Sequence, residues 1–501
     1  MDDVLLGLTA VLQPQLLLFC LLGVTLGTLV GVMPGIGSLA AVSLLIPISF
    51  HVPPDAALIL LAGVYYGTLY GGSTASILLN LPGSPSSAVA CFDGYPMAKQ
   101  GRAGLALSMT TIGSFVGAAA GIVLMIALAP TIAGIGLMMT AADYFALLVV
   151  GLVASLTLAS GSKVKGLAMM LVGIMLGFVG TDSQTGQERF TFGSLYLADG
   201  INLVALSIGL FGLSEVIAGL TRGSVPVVPA DLRLRSLLPT RSDLRRSVAP
   251  MGRGTALGAF VGALPGAGTN VASFMSYVVE KRVSKTPERF GKGALEGVVA
   301  PETSNNAAAQ TAFIPTMTLG VPGDATMALL LGVLIMHGIQ PGPTFVAEEP
   351  EMFWALIMSF WIGNLLLVVL NLPLIGVWVR ILAVPRRVLM PTIVVLMCVG
   401  VYSINNSALD IVTMAFFGAI GYLLLRRGFE VAPLVLGFIL GPLTEEYLRR
   451  ALTLARGDVT AMVSRPSTAA ILGVAAVLLV VTLARGARPR TRLPAGTGGA
   501  P

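Results

Sequence analysis

Two short phrases in this chain could do chemistry, and each is said twice. Gly31-Val32-Met33-Pro34-Gly35-Ile36-Gly37-Ser38 returns as Gly262-Ala263-Leu264-Pro265-Gly266-Ala267-Gly268-Thr269, and Asn80-Leu81-Pro82-Gly83-Ser84 is answered by Gly320-Val321-Pro322-Gly323-Asp324. All four lie in apolar sequence. Proline removes a backbone donor and glycine invites positive φ, so each phrase should break a helix. Inside a bilayer, broken backbone survives only where protein buries it or where it lines a wet cavity. Helix starts at such breaks present unpaired N–H groups and the positive end of a dipole, which suits an anion. Freed carbonyls there could hold a cation, and matching breaks in two halves of a chain point to a transport site.

The side chains around the breaks fit that chemistry. Ser38, Ser73, Thr74, Asn80, Ser84, Thr269, Asn270, Ser304, Asn305 and Asn306 offer donors with no fixed charge, as a carboxylate substrate requires. The same small residues also let helices pack closely. Glu302 and Asp324 are the candidates for a coupling ion, because carboxylates at membrane depth carry protons or cations. Each could instead cap a helix or face an aqueous vestibule. Asp93 and Asp143 are weaker candidates for the same role.

The elements that must position these residues are membrane helices. Of 501 residues 55% are apolar and 11% charged, and the mean hydropathy is +0.88, whereas a soluble chain is about a quarter charged. The formal charge of +6 is spread through short loops and is no nucleic-acid signal. Cys20, Cys91 and Cys398 lie far apart without metal-ligand spacing, and His51 and His337 are the only histidines. No metal centre or disulfide framework is expected. The start, Met1-Asp2-Asp3, lacks the basic region of a cleavable signal, so the first apolar run is expected to stay.

Lysines and arginines set the sides. Residues 14–50, broken at Pro34-Gly35 and flanked by no base, read as a re-entrant hairpin opening outward. Residues 55–71 then cross inward, and 71–85 form a second hairpin that ends at Lys99 and Arg102. Runs 103–130, 143–160, 166–180 and 201–220 follow, with the 181–189 loop outside. The Pro265-Gly266 stretch lies between Arg253 and the basic 281–292 loop, so its hairpin opens inward, opposite to the first. Residues 293–310 cross outward, the acidic Glu348-Glu349-Pro350-Glu351 loop is outside, and 353–379 returns. Arg449, Arg450, Arg456 and Arg465 fall outside in this scheme; either 430–443 does not span or those arginines ride an interfacial helix.

The first breaks are 231 positions apart (268 − 37) and the second 240 (323 − 83). The expectation is an all-α polytopic membrane protein made of two inverted-topology repeats with re-entrant helical hairpins broken at Pro-Gly motifs. Its parts are a first repeat over 14–221, a basic cytoplasmic linker over 222–253, a second repeat over 254–455, and an extra segment with a basic tail over 456–501.

The Gly-x-x-Pro-Gly-x-Gly start, the Tyr66-Gly67-Thr68-Leu69-Tyr70-Gly71-Gly72-Ser73 run leading to Asn80-Leu81-Pro82-Gly83, Asp93-Gly94-Tyr95-Pro96, and Pro301-Glu302-Thr303-Ser304-Asn305-Asn306-Ala307-Ala308 carry a family resemblance. To about residue 455 the chain resembles the TctA family, the large membrane subunit of tripartite tricarboxylate transporters. The resemblance implies a bacterial inner-membrane permease that works with a small TctB-like membrane subunit and a periplasmic TctC-like solute-binding protein. It implies uptake of citrate, another di- or tricarboxylate or an aromatic carboxylate, driven by a sodium or proton gradient, with no cofactor. The alternatives are a passive anion channel or a permease that needs no binding protein. An intramembrane protease or an ATP-driven pump would need a paired catalytic set or a P-loop, and the sequence has neither HExxH, GxSxG nor a Walker phrase.

Overall fold

The computed structural model describes residues 2–33, 36–158, 162–182, 184–220, 234–264, 268–381 and 386–486. Pro34, Gly35, Pro265 and Gly266, four of the expected site residues, and the basic tail beyond 486 lie outside them. Among the described residues six helices are long and apolar enough to cross a membrane: Pro14–Val32, Pro54–Leu79, Ala103–Leu137, Leu203–Leu220, Pro350–Asn371 and Ala408–Arg426. Shorter apolar helices accompany them. Among the described residues the one strand pair is Gly180–Thr181 with Glu188–Arg189 in the 181–189 loop. The chain is an all-α polytopic membrane protein.

Glycine rows set how the helices meet. A Cβ at Gly23, Gly27 or Gly31 would lie 2.4, 2.5 and 2.5 Å from the carbonyl oxygens of Leu60, Val64 and Thr68. At Gly254, Gly258 and Gly262 it would lie 2.4, 2.2 and 2.3 Å from those of Ala300, Ser304 and Ala308. No side chain fits at these six positions, so the Pro14–Val32 helix lies backbone to backbone on Pro54–Leu79, and Arg241–Gly262 on Glu296–Thr311. The glycines and their partners pair off at the same two spacings as the breaks in the sequence. The packing repeats with the sequence.

Several boundaries differ from expectation for identifiable reasons. Pro54–Leu79 runs unbroken through Gly71-Gly72, because those glycines serve close approach: a Cβ on Gly71 would meet Thr28 O at 2.5 Å. The break comes instead at Asn80, which closes this helix in the left-handed region at φ 55. The second half of the expected linker is helical, since Thr240 and Asp243 form a reciprocal capping box that starts Arg241–Gly262. Residues 432–443 belong to the continuous Ala432–Leu454 helix. Arg449 on that helix bonds Asp182 of the 181–189 loop at 3.0 Å and Glu445 at 2.6 Å. It therefore shares a side with that loop and is neutralised by ion pairs.

Candidate functional site

In each half the first break meets the second. The N–H of Gly37 donates to Gly83 O at 2.9 Å, and a Cβ on Gly268 would lie 3.1 Å from Asp324 Cβ. Gly37 and Gly268 have φ of 52° and 61°, which glycine adopts without strain. Gly83 sits against Gly72 and Gly323 against Ala312, again matched positions. Pro322 and Gly323 are buried, and Pro82 is half-buried.

The tip of the first half is a knot of hydroxyls. Ser84 Oγ lies 3.0 Å from Ser86 Oγ, the Ser84 N–H donates to Ser87 Oγ at 3.0 Å, and Ser76 Oγ donates to Ser87 Oγ at 3.2 Å. The tip of the second half is a capped helix. Asp324 Oδ1 accepts from the Met327 N–H at 2.9 Å, and its Oδ2 accepts from the Tyr65 hydroxyl at 3.0 Å. Thr269, which is buried, faces the same tyrosine. Tyr65 thus ties a helix of one half to a tip of the other.

Glu302, Ser73 and Asn306 sit together in a separate buried cluster. Glu302 is 1% exposed; Ser73 and Ser114 face its carboxylate. Asn306 Nδ2 donates to Ser114 Oγ at 2.8 Å and to the Glu302 carbonyl at 3.1 Å. Gly113 and Gly117 make this possible: a Cβ at Gly117 would lie 2.1 Å from Thr303 O, so Ser114 is carried directly onto the Glu296–Thr311 helix.

The remaining candidates are placed apart from these clusters or are already engaged. Ser304 Oγ donates to Ala272 O at 3.0 Å, joining Glu296–Thr311 to Gly268–Val283, the helix that follows the first break of the second half. Asn305 is fully buried with neither amide atom paired. Thr74 is buried and Ser38 half-buried, whereas Asn80 and Asn270 are exposed. Asp93 and Asp143 are bonded within the fold. Asp93 Oδ1 accepts from the N–H groups of Gly291, Gly293 and Ala294 at 2.8 Å each. Asp143 accepts from Thr140, Ser467 and Thr468, fastening the Pro466–Gly486 helix to Ala141–Leu158.

Tyr65 and Ser114 were not singled out from sequence. Tyr65 stands one residue before the Tyr66 to Ser73 run, whereas Ser114 is one of two serines in an apolar helix, and its only signal is the glycines near it, Gly113 and Gly117. Among the described residues no group of three histidine, cysteine or carboxylate side chains could hold a metal ion.

The family described as "Tripartite tricarboxylate transporter TctA family" matches residues 17–436. A protein of Agrobacterium vitis described as "Uncharacterized 52.8 kDa protein in TAR-I ttuC' 3'region" is 50% identical over 478 residues, 95% of each chain. Another from the same organism, "Uncharacterized protein in TAR-II ttuC' 3'region", is 53% identical over 226 residues, 45% of this chain and 93% of its own. No solved structure matches. With its breaks paired in both halves and the match running over most of its length, the chain belongs to the tripartite tricarboxylate transporter TctA family.

Proposed function

We propose that the chain is the permease of a secondary active uptake system for carboxylates, coupled to a sodium or proton gradient across the bacterial inner membrane. A periplasmic solute-binding protein delivers the substrate, and a small membrane subunit completes the assembly. The observation that carries this reading is the pairing of breaks within each half, Gly37 with Gly83 and Gly268 with Asp324. Two such pairs at repeated spacings are what two inverted repeats with re-entrant hairpins would produce. Backbone N–H groups at the tips, with Ser38, Ser84, Thr269 and Asn270 beside them, would bind the carboxylate.

The test is uptake of labelled citrate, then of a panel of di-, tri- and aromatic carboxylates, into proteoliposomes holding this chain and its small subunit. The binding protein and the sodium or proton gradient are supplied or withheld in turn. Uptake that needs both the binding protein and one gradient is expected. Flux without any gradient would mean a passive channel, and uptake without the binding protein would mean an independent permease.

A further inference from the structure

We propose that Glu302, Ser73, Ser114 and Asn306 form a sodium site where the Pro54–Leu79, Ala103–Leu137 and Glu296–Thr311 helices meet. The proposal rests on the transporter reading and names its coupling ion.

Glu302 is buried, and among the described residues no cationic side chain faces it. A carboxylate so placed must be neutralised by a proton or by a metal cation. The donors around it decide between them. Both hydrogens of Asn306 Nδ2 are used, on Ser114 Oγ and the Glu302 carbonyl. The Tyr70 hydroxyl, which lies near the carboxylate, donates to Asn364 Oδ1. The remaining hydrogens are those of the Ser73 and Ser114 hydroxyls, which rotate about their C–O bonds, and Glu302 Oε2, Ser73 Oγ and Asn306 Oδ1 are three buried oxygens that close no hydrogen bond in the structure.

A proton on Glu302 would join its carboxyl to one of these oxygens at a time, with the serine hydroxyls turned to serve the rest. A hard cation, bound through carboxylate, hydroxyl and amide oxygens, serves all of them together. The single carboxylate balances one positive charge, so a monovalent ion fits and a divalent ion would leave a net buried charge. The orientation of Asn306 is fixed by its two donated bonds, which point its Oδ1 away from both. Asp324 is a poor rival, because each of its oxygens already accepts a hydrogen bond.

The test is binding of radioactive sodium to the purified full chain in lipid nanodiscs, without substrate or partner subunits, and with potassium as competitor. Saturable binding that potassium does not displace is expected. Glu302→Gln should abolish it, and Ser73→Ala should weaken it on the order of tenfold. Absence of sodium-specific binding in the wild type, or its survival in Glu302→Gln, overturns the site. If Glu302→Gln does not fold, Ser73→Ala and Ser114→Ala decide, and unchanged affinity in both overturns it. Proton-driven uptake without sodium binding would sink the site and spare the transporter, whereas sodium binding without uptake of any carboxylate would do the reverse.

Discussion

The Tyr65 hydroxyl donates to Asp324 across 3.0 Å, although the two residues come from opposite halves of the chain. Asp324 is at once the partner of Tyr65 and the N-cap of the Ala325–Met336 helix. Asparagine can keep both contacts, since its oxygen caps as well as aspartate's and its amide nitrogen can donate to the Tyr65 oxygen in place of accepting from it. Asp324→Asn should therefore change stability by less than about 0.5 kcal/mol, whereas Asp324→Ala should cost about 1–2 kcal/mol. Thermal unfolding of the purified variants checks this. Equal losses in the two would mean that the negative charge itself holds the tip.

The matched glycine rows predict matched penalties. Gly27→Ala and Gly258→Ala each push a methyl group against a carbonyl oxygen, 2.5 and 2.2 Å away. Each should destabilise by about 1–3 kcal/mol, more than the roughly 1 kcal/mol that alanine gains over glycine in a helix. Gly252 lies on the same helix as Gly258 with nothing within 4 Å of an added Cβ, so Gly252→Ala should be neutral or stabilising. Unfolding midpoints of the three variants provide the comparison, and a neutral Gly258→Ala would contradict the backbone contact.

The repeat was legible because glycine spacing and Pro-Gly phrases are local signals that survive in sequence. What those glycines do was less legible. Gly71-Gly72 reads as part of a break, yet there the missing side chains admit Thr28 O and Ser87, and the helix continues. Asn80 reads as a ligand by its chemistry, but it stands in the left-handed position closing one helix, as Gly320 does for another at φ 69. Ser114 and Tyr65 matter only through helices packed against them from far along the chain, which no local pattern records. The sidedness of Arg449 depended in the same way on Asp182, a partner 267 positions away.

That polar cluster makes a pH prediction. Asp182 is held well below the usual carboxylate range, first by the Gln184 N–H, then by the Thr185 hydroxyl, Arg449 and Arg189. Its folded pKa lies below its unfolded one, so its stabilisation is complete above the ordinary carboxylate pKa of about 4. It is lost as pH falls from there through the folded value. Asp182→Asn should thus be less stable than wild type at neutral pH, and the gap should close progressively as the solution is acidified below about pH 4. Unfolding midpoints of both proteins across that range test it; a gap that widened on acidification would assign the shift the wrong sign. High salt should narrow the gap at neutral pH, because the two arginines are partly exposed.

Asp93 makes the opposite case to Glu302, a fully buried carboxylate whose two oxygens are both engaged. Its Oδ1 collects three backbone N–H groups of the 291–294 turn, and its Oδ2 accepts from the Tyr277 hydroxyl at 2.9 Å. Through it the helix Ala90–Lys99 holds the end of the basic 281–292 loop. An asparagine in its place would keep an oxygen for the three N–H groups and turn its amide toward Tyr277, so Asp93→Asn should forfeit only the charge-assisted part, about 1–2 kcal/mol. Asp93→Ala leaves three buried donors without an acceptor and should cost about 3–5 kcal/mol. The loop reports this directly, because Lys285, Arg289 and Lys292 are exposed trypsin sites whose cleavage depends on how often the backbone opens. Cleavage there should quicken in the order wild type, Asp93→Asn, Asp93→Ala. Equal rates in all three would show that the loop is anchored elsewhere and that the carboxylate is free for another task.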